Sequence, residues 1–149
     1  AAAAHLHACE WDEDALTALR HNLQANGVAD RCTVHPGDNA VSAARFAGAA
    51  DRVNLGLIPS SEAGWLLAVR ALRPEGGWLH VHANVSSDED EAATWAADLQ
   101  RRMEMLASEA GRQWHVAIAH VERVKSYAPR IRHVVVDVHC TPRPHTRNS

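Results

Sequence analysis

Apolar and polar positions alternate along the first half of the chain in a strand–helix rhythm. Residues 5 to 10, His5-Leu6-His7-Ala8-Cys9-Glu10, read as a strand. An acidic cluster, Glu10 to Asp14, follows at once, with Asp12 placed to cap a helix whose N-terminus the acids favour. Leu16, Leu19 and Leu23 recur at helical spacing beside Ala15, and Asn26-Gly27 stops them. Cys32 to His35 is the next short strand, ending in Pro36-Gly37-Asp38-Asn39. The alanine-rich residues 40 to 50 read as a short helix or a loop. Residues 52 to 58 read as a buried central strand that turns at Pro59-Ser60-Ser61 into a helix over 62 to 72, with Trp65, Val69 and Leu72 on one face. Pro74-Glu75-Gly76-Gly77 is a strong turn before another strand, Trp78 to Asn84. Such alternation is the signature of βαβ units and a parallel sheet.

The second half changes character. Asp88-x-x-Glu91 is a capping box, and Ala92, Trp95, Ala96, Leu99, Met103, Leu106, Ala107 and Ala110 follow at steps of three and four until Gly111. Residues 114 to 123 and 131 to 140 are two β-branched segments joined by a loop over 124 to 130. With no helix between them they should pair antiparallel. The tail from 141 to 149 is rich in Pro, Arg and His and is expected to fray. No internal repeat or domain boundary is visible, so residues 5 to 140 are expected to form one α/β domain.

Composition narrows the class. With 149 residues, 46% hydrophobic and 22% charged, the chain can bury a core. No apolar run approaches the ~18 residues of a membrane span, and residues 1 to 4 resemble no targeting peptide, so a soluble, cytoplasmic protein is expected. Cys9, Cys32 and Cys140 form no C-x-x-C pair and are expected to be reduced, buried thiols. A formal charge of −3, with eleven neutral histidines, supplies no overall basic field for a nucleic acid.

Three strand ends carry candidate chemistry. A carboxylate at a strand end, as Glu10 is, can accept hydrogen bonds from both hydroxyls of a ribose, though it could equally serve the helix dipole. Asp38 and Asn39 offer an acceptor and a donor side by side, suited to an adenine edge, or simply make a turn after Pro-Gly. Between Asn54 and Ser61, Gly56 and Pro59 shape a turn or admit a substrate to the backbone, while Ser60 and Ser61 could cap a helix or touch an anion. Lys125, Tyr127 and Arg130 form a compact basic–aromatic group suited to stacking a base and meeting a phosphate, or a solvated hairpin loop. His5, His7 and Cys9 alternate on one strand, as do His80 and His82, but neither the C-x-x-C nor the H-E-x-x-H spacing of a zinc site is present, and no metal is expected. There is no G-x-S-x-G elbow.

Taken together, His7-Ala8-Cys9-Glu10-Trp11, Ala29-Asp30-Arg31-Cys32, Gly37-Asp38-Asn39, residues 51 to 61 (Asp-Arg-Val-Asn-Leu-Gly-Leu-Ile-Pro-Ser-Ser), Gly76-Gly77-Trp78-Leu79-His80-Val81-His82 and Val124-Lys125-Ser126-Tyr127-Ala128-Pro129 resemble the catalytic domain of the wybutosine-pathway aminocarboxypropyltransferases, relatives of the tRNA guanine-N1 methyltransferases. The resemblance implies a class I methyltransferase-type, Rossmann-like sheet with helices on both faces and a C-terminal antiparallel hairpin. It implies S-adenosylmethionine as donor of a 3-amino-3-carboxypropyl group, and 4-demethylwyosine beside the anticodon of tRNA(Phe) as acceptor. Glu10 would then hold the ribose and Asp38 and Asn39 the adenine. Asn54, Gly56, Pro59 and Ser60 would face the acceptor, with Lys125, Tyr127 and Arg130 on the tRNA. No general base is assigned.

The family's first strand and its glycine-rich turn have no counterpart in the sequence. That strand would lie between the strands at 5–10 and 52–58, which should therefore expose unpaired backbone edges. This chain alone is accordingly expected to bind S-adenosylmethionine weakly or not at all. Rival readings are a tRNA guanine-N1 methyltransferase, a non-catalytic binding module, and a dinucleotide oxidoreductase in which Glu10 meets an NAD ribose.

Overall fold

The structure is a computed structural model that describes residues 3–144. Where the sequence shows no boundary, the chain divides into two compact units, Ala1–Phe46 and Ala47–Ser149. In the first, β1 (Leu6–Glu10) and β2 (Cys32–Pro36) pair in parallel, Leu6 opposite Cys32 and Glu10 opposite Pro36. The helix α1 (Glu13–Ala25) connects them. Its start is set by Asp12, whose Oδ1 accepts the Ala15 N–H at 2.8 Å. Leu16 is buried and Leu19 and Leu23 half-buried, so the apolar stripe faces inward. The alanine-rich stretch resolves into a four-residue helix, α2 (Asn39–Ser42), followed by a 3-10 turn over Ala43–Phe46.

The second unit is a four-stranded sheet of order β3-β4-β6-β5. β3 (Arg52–Leu55) and β4 (Gly77–Ser86) are parallel and joined through α3 (Trp65–Ala71). α4 (Glu89–Glu109) leads to β5 (Trp114–Ala128), which pairs antiparallel with β6 (Ile131–Pro142), itself antiparallel to β4. Asp88 caps α4 by accepting from Asp90 N and Glu91 N, and Gly111, at φ 72°, ends it in a left-handed conformation that a side chain resists. Alternate residues of β4, namely Leu79, Val81, Ala83 and Val85, enter one core with Val134, Val136, Val138, Leu99, Met103 and Trp65. Both helices of this unit therefore pack on the same face of the sheet. The opposite face is polar: His80 Nδ1–H donates to Asp137 at 2.7 Å, its Nε2 accepts from Arg52 at 3.3 Å, and Trp78 stacks on His139. Gly76 and Gly77 have no room for a side chain, since a Cβ would come within 2.1 Å of the Cys140 carbonyl oxygen and 2.4 Å of that of Asp51.

Among the described residues β1 ladders with β2 alone and β3 with β4 alone, which gives both strands the free edge the sequence reading expects. Several boundaries differ from that reading. β3 ends at Leu55 instead of running to 58, because Gly56 and Pro59 release the chain and leave Leu57 66% exposed. β5 continues to Ala128 through the expected loop, leaving a two-residue turn, Pro129-Arg130, with Arg130 at φ 62°. β6 reaches Pro142, where Arg143 N–H donates to the Gln113 carbonyl at 2.8 Å, so the expected frayed tail is tied down at its start. Residues 145–149 lie outside the described residues. Cys9 is exposed and Cys32 half-buried, contrary to the expectation of buried thiols, because β1 and β2 are covered on few sides. Cys140 is buried, and that burial pushes its thiol up to about 11.

Candidate functional site

Parallel pairing sets the geometry of the first unit's candidate residues. Because Glu10 sits opposite Pro36 and the Gly37 N–H donates to the Glu10 carbonyl at 2.8 Å, the Asp38-Asn39 pair leaves its strand directly beside Glu10. Open α/β sheets bind ligands at this carboxyl edge. One Glu10 oxygen, Oε1, accepts the N–H groups of Trp11 at 2.8 Å and Asp12 at 2.9 Å, which aims the carboxylate and leaves Oε2 without a partner among the described residues. Asp38 Oδ1 accepts the Ala40 N–H at 2.8 Å, and the exposed Asn39 side-chain amide has no partner among the described residues. Glu10 and Asp38 thus meet local backbone, and all three side chains keep polar capacity in hand. Behind them His7 Nδ1 and His35 Nε2 share a hydrogen bond at 3.0 Å, and His7 stacks on Phe46. Burial, with His35 and His5 close by, holds the His7 imidazole below its ordinary value.

In the second unit the turn after β3 is anchored on three sides. The Pro59 carbonyl accepts the Asn84 N–H at 2.9 Å, and Ser60 bridges to Ala83. Ser61, one of the two hydroxyl residues read as available to an anion, is 3% exposed and turned inward. Its Oγ donates to the His82 carbonyl at 3.2 Å and accepts Trp65 Nε1–H at 3.3 Å. Buried polar groups seek such partners, and here the hydroxyl ties the turn to both β4 and α3. Glu62 forms an ion pair with Arg102 of α4, whose guanidinium lies 4.8 Å over the Trp65 ring. That hydrogen bond holds the Glu62 carboxyl below the usual carboxylate value and raises Arg102. Asn54, Gly56, Pro59 and Ser60, the set expected to meet an acceptor, all face solvent, as do Leu57 and Ile58 between them. Ser60 Oγ accepts the Glu62 N–H at 3.2 Å. The Asn54 amide lies 3.4 Å from where a Gly56 Cβ would stand, an ordinary van der Waals contact.

Lys125 and Tyr127 project from β5 rather than from a loop, and Arg130 occupies the turn; all three are exposed. Among the described residues no three His, Cys, Asp or Glu side chains converge as a metal site. Sequence reasoning missed Trp65, Glu62, His82 and Arg102 as supports of the turn. Only the spacing of Ser61 and Trp65, one helical turn apart, hinted at their contact.

Comparison with known proteins gives this arrangement relatives. No family model matches the chain. A tRNA wybutosine-synthesizing protein 2/3/4 of Arabidopsis thaliana is 53% identical over 135 residues, covering 91% of this chain and 13% of that protein. A tRNA wybutosine-synthesizing protein 2 homolog of Danio rerio is 43% identical over 169 residues, covering 94% of this chain and 41% of that protein. These wybutosine-synthesizing proteins are homologues of the chain over more than nine tenths of its length. It spans less than half the length of these relatives. The crystal structure of M. jannaschii TYW2 in complex with AdoMet superposes with a TM-score of 0.77 at 21% identity, covering 94% of this chain and 59% of that one. At that identity the likeness establishes the fold, the class I S-adenosylmethionine-dependent methyltransferase type, with the wybutosine relatives supplying the kinship. No helix among the described residues is long and apolar enough to cross a membrane.

Proposed function

We propose that this chain works as part of a transferase that moves the 3-amino-3-carboxypropyl group of S-adenosylmethionine to a tRNA base, the acceptor being 4-demethylwyosine beside the anticodon of tRNA(Phe), in the cytoplasm. The observation that carries the proposal is the Glu10 carboxylate, aimed by two backbone N–H groups, with one oxygen unpaired among the described residues, directly beside Asp38-Asn39 at the end of a parallel strand pair. Kinship with the wybutosine-synthesizing proteins supports the choice of donor and acceptor.

In this reading Glu10 Oε2 accepts from the donor's ribose hydroxyls, while Asp38 and Asn39 meet the adenine edge. Asn54, Gly56, Pro59 and Ser60 line the acceptor's place, and Ser61, Trp65 and the Glu62–Arg102 pair hold that turn rigid. The reaction breaks the bond between sulfur and the γ-carbon of the aminocarboxypropyl chain, whose electron pair stays on sulfur as methylthioadenosine departs. A bond from the base carbon to that γ-carbon replaces it, and the base carbon's proton passes to solvent. Sulfonium is already a good leaving group, so alignment of the two carbons supplies most of the rate. Lys125, Tyr127 and Arg130 contribute phosphate and stacking contacts to the tRNA.

Product mass decides between this reading and methylation of guanine. The full-length protein, incubated with S-adenosylmethionine and tRNA(Phe) carrying the tricyclic base, is expected to add an aminocarboxypropyl group. A methyl gain would establish the methyltransferase reading instead, and no gain with the full-length protein would overturn the enzyme assignment.

A further inference from the structure

Between the first three turns of α4 and the arm formed by β5 and β6 lies a groove of about 220 Å3 that the proposed reaction does not use. Its floor is apolar: Val85, Val121 and Val134 from the sheet, Ala92, Trp95 and Ala96 from the helix. Its rim is charged. Glu89 Oε2 accepts from Arg123 at 2.6 Å, and Glu89 Oε1 accepts from Arg132 at 3.0 Å. Two guanidiniums on one carboxylate leave a net positive charge at the mouth, and Arg123 is more than half exposed. The volume falls below the ~300 Å3 at which drug-sized ligand pockets begin, which suits one ring system. The far side of Trp95 is a more open hollow lined by Asp90, Glu91, Thr94 and Asp98, which repels anions. A ligand with a ring and an anionic group is thereby oriented, ring on Trp95 and anion toward the arginines.

The groove also lies at the productive end of the sheet. β3 and β4 are parallel, so the turn from Gly56 to Ser60 and the end of β4 at Ser86 share one edge. Ser86 is paired with Ile131, and the Ser87 N–H donates to the Arg130 carbonyl at 2.9 Å, which brings the hairpin turn and the start of α4 to that edge as well. We infer that the groove is a nucleotide subsite for a single-stranded residue of the RNA substrate near the acceptor, its base seated against Trp95 and the valines and its phosphate on Arg123 and Arg132. The inference rests on the reading of RNA as substrate. Splayed single-stranded bases are held by aromatic stacking, and phosphates by arginine forks.

The test is binding of an RNA hairpin with a single-stranded loop to the full-length protein across a salt series, with S-adenosylmethionine binding as the control for folding. Ala96→Phe fills the slot without changing charge, and Ala93→Phe on the exposed rim serves if the first variant folds poorly. Either should weaken RNA binding about tenfold, which is about 1.4 kcal/mol, and leave the salt slope as it is. Arg123→Gln should flatten the slope of log K against log salt by about 0.7, the value of one phosphate contact on a single strand. Parent-like RNA binding by the filled variants overturns the subsite, even if Arg123→Gln changes the slope. Failure of the parent protein to bind RNA overturns the RNA reading itself, an outcome distinct from loss of the groove alone.

Discussion

The chain contains two parallel strand pairs, each with its candidate residues at the carboxyl end, and they rest on very different foundations. β3–β4 stands on a continuous core of Trp65, Leu72, Leu79, Val81, Leu99, Met103 and the β6 valines, and its turn is pinned by Ser61, Trp65 and the Glu62–Arg102 pair. β1–β2 has Leu16, His35, Ser42 and Ala43 as its buried residues, while Leu6 is 52% and Trp11 81% exposed. Glu10 and Asp38 are accordingly held by neighbouring backbone, within two residues of themselves in sequence. The contrast teaches where each group of candidate residues gets its rigidity. The turn after β3 is rigid because distant elements converge on it, whereas the Glu10 and Asp38 carboxylates are aimed by local turns on a lightly packed pair of strands, the kind of region that opens first.

The largest expected effect lies in the core. Leu79→Ala should lower the unfolding free energy by about 2–5 kcal/mol in denaturant titration, since the fully buried side chain is surrounded on all sides. Leu16→Ala, in the thinner first unit, should fall at the low end of that range. Equal losses would break the contrast between the two foundations. Next comes Ser61→Ala, which strands the Trp65 indole N–H and the His82 carbonyl; a loss of about 1–3 kcal/mol is expected, and a neutral substitution would show that the turn is not held through this hydroxyl.

The smallest effect concerns pH. Burial, then the nearby His133 and His80, lowers the His82 imidazole from 6.5. The folded state therefore takes up a proton less readily than the unfolded chain. The contribution is complete above pH 6.5 and is lost as pH falls through the lowered value, so stability should decline on acidification across that window. His82→Gln should flatten this part of the pH profile, and an unchanged profile would remove His82 from the account.

How far these features were legible depended on their range in sequence. Asp12 and Asp88 announced their helices because a cap and its partners lie within three residues, and the stripe from Ala92 to Ala110 needed only helical spacing. The positions of Glu10 and Asp38-Asn39 followed from strand ends, although the backbone bonds that aim Glu10 did not. A hydroxyl pair after proline reads as a helix cap or an anion contact, whereas the partner of Ser61 in β4, the His82 carbonyl, is 21 residues away. The end of β3 and the reach of β5 were misplaced for a related reason. Apolar residues at Leu57 and Ile58 suggested a longer strand, and the polar Lys125 and Ser126 suggested a loop, but pairing with β4 and β6 decided both. Glu89, Arg123 and Arg132 come together across more than thirty residues of chain, a meeting that no local pattern could announce.

The measurement that bears most directly on the central claim is calorimetric titration of S-adenosylmethionine into the full-length protein and into its Glu10→Ala and Asp38→Ala variants. The account predicts that each variant binds more weakly by about 1–3 kcal/mol, through loss of a hydrogen bond to a charged group, with its unfolding transition unchanged. Parent-like affinity in both variants would contradict the assignment of these strand ends to the donor.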